Sequence, residues 1–104
     1  MQEFINAYFE AALWAEGLEG ETFSQETEKT MVKDCKQFFA IAEPMIAGRY
    51  TQAGHDFWLT RNGHGAGFWE TPDWPEAEGK ALTALCDMFG TFDLYLGDDG
   101  LVDS

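Results

Sequence analysis

The fold is read from residues 56–69, DFWLTRNGHGAGFW. Asn62-Gly63 is the preferred dipeptide of a two-residue type I′ turn, whose central positions both need positive φ. With bulky residues on each side, the segment reads as a β-hairpin. A turn of that length pairs Arg61 with His64, Leu59 with Ala66 and Phe57 with Phe68. Extending the register sets His55 opposite Glu70. In that ribbon the two histidines stand roughly 20 Å apart at about 3.3 Å per residue, too far to share a zinc ion or form a dyad.

Upstream the period is helical. Phe4, Tyr8, Ala11 and Ala12 form one stripe in residues 4–14, and the stretch EGLEGETF, with Gly17 and Gly20, breaks that helix. A second helix is expected from Ser24, a good N-cap, with Glu26 and Glu28 in the first turn where the helix dipole favours anions. Its stripe is Met31, Cys35, Phe38, Phe39, Ala42 and Ile46; Pro44 should kink or shorten its end and Gly48 should stop it. Downstream, the segment TPDWP is a loop. It leads to a third helix carrying Leu82, Leu85, Cys86 and Phe89 and closed by Gly90. TFDLYL then alternates as a half-buried strand, succeeded by a GDDG turn and a short LVD strand. The expected fold is a single α+β domain, residues 1–104, in the order ααββαββ. Two hairpins form a small antiparallel sheet with about three helices packed on one face.

Composition sets the limits on function. The 104 residues hold 19 acids against 6 bases, a formal charge of −13, with 15% aromatics to build a core. A chain so poor in Lys and Arg is a poor partner for nucleic acid or anionic lipid, where phosphates must be neutralised. No run approaches the roughly 18 apolar residues of a membrane helix. Glu3 and Glu10 stand where a secretory leader would be basic, so none is expected. Cys35 and Cys86 lie far apart on apolar stripes and read as reduced, buried thiols. The acids are unevenly spread. Residues 1–48 carry nine acids and three lysines, residues 49–69 one acid and two arginines, and residues 70–104 nine acids and one lysine.

The run AGHDFWLTRNGHGAGFWE at 53–70 and DLYLGDDG at 93–100 resemble small acidic proteins common in tailed-phage genomes. FINAYFEAALW at 4–14 and DCKQFFA around Cys35 are similar to the same group. The resemblance implies a phage-encoded protein acting in the host bacterial cytoplasm. It carries over no catalytic residue.

His55, Asp56, Arg61 and His64 are the one cluster that suggests a site, for a small enzyme or a ligand-binding protein. It would need another register, or a homodimer joining two hairpins. The structural reading is that Arg61 salt-bridges an acid of a neighbouring element. Asp93, Asp98, Asp99 and Asp103 lack the EF-hand spacing, and Asp98-Asp99-Gly100 is a turn. No Walker loop, GxSxG or dinucleotide fingerprint is present. Trp69 and Trp74 flank the acidic loop ETPDWPEAE, as core caps or as a protein-binding hot spot. The expected function is therefore non-enzymatic: inhibition of a basic host or defence nucleic-acid-binding protein by imitating DNA, in the manner of an anti-restriction or anti-CRISPR protein. The expected contact residues are Glu76, Glu78, Asp98 and Asp99, with Arg61, Asn62 and His64 at the hairpin tip and Trp74 beside it. No catalytic residue, cofactor, metal or direct nucleic-acid contact is expected.

Overall fold

A computed structural model describes residues 1–69 and 73–104. The chain order is α1 (Gln2–Ala15), β1 (Thr22–Phe23), α2 (Gln25–Ile46), α3 (Tyr50–Arg61), α4 (Glu76–Phe89), β2 (Tyr95–Leu96) and β3 (Leu101–Asp103). The protein is mostly helical, which corrects the expected ααββαββ order and its sheet of two antiparallel hairpins. The first hairpin does not exist: its leading strand is the second half of α3. The pairing of His55 with Glu70 falls outside the described residues, as does part of the TPDWP loop.

The hairpin signal failed for a physical reason. The positive φ that a type I′ turn demands is equally what a helix needs just past its end. Gly63 has φ 68°. Its N–H donates to the Thr60 carbonyl at 3.3 Å and the His64 N–H to the Leu59 carbonyl at 3.1 Å. Those two bonds are the 5→2 and 6→1 pair of a Schellman motif, so Asn62-Gly63 terminates α3 rather than reversing a ribbon. The helical period was hidden because α3 is covered on several sides. Ala53, Gly54, Phe57 and Trp58 are buried, and so are the polar Asp56, Thr60 and Arg61. Polar residues on buried faces erase the amphipathic stripe by which a helix is recognised.

The other helices form as their periods require. Ser24 caps α2, its Oγ accepting from the Thr27 N–H at 3.3 Å. Met31, Cys35, Phe38, Phe39, Ala42 and Ile46 are all buried on one face. The helix runs two residues past Pro44 and ends where Ala47 turns left-handed at φ 54°, with Gly48 next in the chain. Leu82, Leu85 and Cys86 are the buried stripe of α4, which stops at Gly90.

α1 and α3 run side by side in the same direction. Gly54 lies against Phe4, Ala7 and Tyr8, and Leu59 shares a groove with Ala11 and Trp14 one to two turns further on. Gly54 is what permits the approach, since a Cβ there would overlap the Phe4 carbonyl oxygen and stand 2.8 Å from the Ala7 Cβ. α2 supplies the aromatic floor. Phe38 stacks on Phe57 of α3 with ring centroids 4.0 Å apart, and Phe4 lies within 5.8 Å of Phe38 and 5.5 Å of Phe39. Such pairs contribute beyond their buried area.

The sheet is small and mixed, in the order β1-β3-β2. Only the second expected hairpin forms: β2 pairs antiparallel with β3 across the GDDG turn. On its other side β3 pairs in parallel with β1, a partner hidden in a two-residue strand between helices. Among the described residues no helix is long and apolar enough to cross a membrane.

Candidate binding surface

Arg61, the last residue of α3, is committed inside the protein; its side chain is only 2% exposed. Nη1 donates to Asp34 Oδ2 and to the Tyr8 hydroxyl, both at 2.9 Å. Nε donates to the Gly90 carbonyl at 2.8 Å and Nη2 to the Phe89 carbonyl at 3.1 Å. Those carbonyls belong to the end of α4, where a cation is favoured. The guanidinium also lies 5.3–5.8 Å from the ring centroids of Phe57, Phe89 and Phe92. The exposed tip expected for Arg61 is thus corrected to a buried junction of α1, α2, α3 and α4. It does salt-bridge an acid of a neighbouring element, Asp34.

Asn62 is likewise structural. Its Nδ2 donates to the Trp58 carbonyl at 3.1 Å, and its Oδ1 accepts from the Phe92 N–H at 2.8 Å. Trp74 is buried, and its Nε1 donates to Asp56 Oδ2 at 2.6 Å, while Gln52 Nε2 donates to the same oxygen at 3.0 Å. Arg49 donates to the Asp73 carbonyl and lies 5.6 Å from the Trp74 ring centroid. Asp73 and Trp74 are therefore anchored on α3 and its N-cap, and Trp74 is a core residue rather than an exposed contact.

His55 and His64 each face a carboxylate of α1. His64 Nε2 is 2.8 Å from Glu16 Oε2; His55 Nε2 is 3.6 Å from Glu10 Oε1, beyond hydrogen-bond reach. Among the described residues Asp56 bonds Gln52 and Trp74, Arg61 bonds Tyr8, Asp34, Phe89 and Gly90, and the histidines stand in two separate pairs with Glu10 and Glu16. Among the described residues no group of three or more His, Cys, Asp or Glu is placed to hold a metal ion. Cys35 and Cys86 are free and buried, and burial pushes both thiols well above their ordinary range. Burial does the same to the Tyr8 hydroxyl, against the opposing charge of Arg61.

The acidic contact residues stand differently. The Glu76 side chain is 77% exposed and 3.1 Å from Lys80 one turn on. Glu78 is half-buried, and Asp98 and Asp99 are exposed in the turn between β2 and β3. Asp99 also shapes that turn, accepting from the Leu101 N–H at 3.0 Å. Three of the six cations, Lys29, Lys33 and Lys36, line the exposed side of α2. That helix is close to neutral, as is α3, and the acids dominate the remaining segments.

The residue the sequence reading passed over is Trp14. It lies off the buried stripe of α1, is 63% exposed, and lines two hollows of about 270 and 310 Å³. The first is lined by Glu10, Ala11, Trp14, His55 and Leu59; the second also includes Glu10, with Glu19. A large aromatic out of step with its own helical stripe was the signal available. A scan against protein-family models and searches of the curated proteins and of the solved structures found no match.

Proposed function

We propose that this chain is a non-enzymatic acidic protein that binds a basic nucleic-acid-binding protein and occludes its DNA or RNA channel. The observation that carries the reading is the division of charge. With a formal −13, the chain turns Arg61 into its core and leaves Glu76, Asp98 and Asp99 in solvent. Buried Asp56 offsets buried Arg61, so the exterior keeps the full formal −13, and the aromatic core supplies a scaffold to hold it. The resemblance to small tailed-phage proteins supplies the setting: the host bacterial cytoplasm, with a host or defence protein as target. The alternative, a small enzyme or ligand-binding protein built on His55, Asp56, Arg61 and His64, loses its support, because two of the four are engaged in the interior.

A displacement assay tests the reading. Basic restriction endonucleases, CRISPR nucleases and nucleoid proteins are preloaded with labelled DNA or RNA and challenged with this protein. Release should be strong at low salt and weaken steeply as salt rises. Glu76→Gln with Glu78→Gln, and Asp98→Asn with Asp99→Asn, should each weaken the complex without changing the fold. Asn at 99 retains the oxygen that accepts from Leu101. A complex that is indifferent to salt, or carboxylate variants that bind normally, would end the proposal.

A further inference from the structure

We infer that the groove between α1 and α3, walled by Trp14, receives an arginine side chain from a basic protein partner. The inference rests on the acidic-protein reading above and names the point at which such a partner is gripped. An indole that is 63% exposed is a flat π-face open to solvent. Guanidinium groups stack on indole faces while their N–H donors stay free at the rim to meet carboxylates. Glu10 lines both hollows that the indole borders and Glu19 lines the second, so a cation on the indole has a carboxylate acceptor in either hollow.

Glu10 has room for a second partner. Its Oε1 makes a long 3.6 Å contact with His55 Nε2, and its side chain, 76% exposed, leaves the rest of the carboxylate in solvent. Glu16, by contrast, is engaged with His64 at 2.8 Å. The groove floor is apolar where Ala11 and Leu59 line it, which suits the methylene stem of an arginine lying along it. An anionic ligand would meet Glu10 in the groove and Glu19 in the second hollow, with His55, itself facing Glu10, as the basic group of the lining, and a neutral one would leave both carboxylates unused. Arginine is favoured over lysine because a point-charge ammonium cannot use the indole face and a carboxylate edge together as a planar fork does.

The test titrates acetyl-arginine amide into the ¹⁵N-labelled protein and follows the indole N–H resonances. Acetyl-citrulline amide, the same size without the charge, is the control. The Trp14 resonance should shift saturably with arginine, at least about fivefold more tightly than with citrulline, and Glu10→Gln should remove most of that preference. In the displacement assay Trp14→Ala, at an exposed position, should keep the wild-type fold and weaken partner binding at least about tenfold, as expected of a central aromatic anchor. Equal titration by citrulline, or no shift at Trp14, overturns the groove assignment. If Trp14→Ala binds the partner normally while the Glu76 and Asp98 variants bind weakly, the groove is wrong and the acidic surface stands. If arginine titrates on Trp14 but no basic nucleic-acid-binding protein is displaced from its nucleic acid, the groove stands and the occlusion reading falls.

Discussion

Replacing Arg61 by Ala should unfold this protein well before it affects any binding. The substitution removes the partner of Asp34 and the donors for the Tyr8 hydroxyl and for the Phe89 and Gly90 carbonyls. Deleting one member of a buried ion pair costs about 3–5 kcal/mol, chiefly because the other charge is left uncompensated. The Asp34 side chain is 18% exposed, so water recovers part of that loss and the lower end applies. At about 3 kcal/mol, a domain of this size should lose roughly 12–24 °C of melting temperature. Arg61→Lys should recover only part, since an ammonium cannot bond Asp34 and two carbonyls as a planar fork does. The double variant Arg61→Met, Asp34→Leu should melt above Arg61→Ala, because it leaves no stranded carboxylate. Circular dichroism melts at neutral pH read all three. A melting point for Arg61→Ala within about 4 °C of wild type would place the side chain in solvent and return it to the role of an exposed grip.

Gly54→Ala should lower stability by about 1–3 kcal/mol despite the better helix propensity of Ala, because the new methyl overlaps the α1 backbone; an unchanged denaturant midpoint would refute the close approach. Trp74→Phe replaces the buried indole by a smaller ring and removes the 2.6 Å bond to Asp56, and chemical denaturation should show a loss of at least about 1.5–3 kcal/mol. Neither Cys35 nor Cys86 should react with a disulfide reagent until the protein is denatured; prompt reaction in the native state would contradict their burial. Both thiols and Tyr8 are held protonated in the folded state, above ordinary values of 9.0 for Cys and 10.0 for Tyr. Their contribution is complete below those values and is lost as the pH rises past them, so melting temperature should decline from about pH 9 upward. A flat profile from there to pH 11 would count against it.

Where one face of an element meets the core and the other meets water, the chain could be read directly. The α2 stripe from Met31 to Ile46, the Ser24 cap and the α4 stripe ending at Gly90 all have that form. α3 does not, because its buried positions include Asp56 and Arg61, bonded to Trp74 and Asp34 far away in the chain, and Thr60, which accepts from the Phe68 N–H beyond the helix end. Local pattern cannot anticipate a bond to Asp34 or Trp74. The Asn62-Gly63 signal correctly located a glycine with positive φ and left open which kind of chain ending it served. β1 was hidden for a related reason: a two-residue strand has no period, and its partner lies near residue 101. The candidate site was legible only in part. Glu76, Asp98 and Asp99 are exposed, whereas Arg61 and Trp74 were read from residue type without their burial.

The lysines along α2 hold its net charge near zero. Four acids and three lysines nearly cancel on that helix, while the rest of the chain holds fifteen acids against three bases. In the field of the basic partner proposed above, that difference would favour encounters in which α2 faces away. Pre-orientation of that kind raises the fraction of diffusive collisions that are productive, and it fades beyond a screening length of about 8 Å at physiological ionic strength. Reversing the charge of Lys29, Lys33 and Lys36 would therefore change the encounter rate without altering any contact on the opposite side.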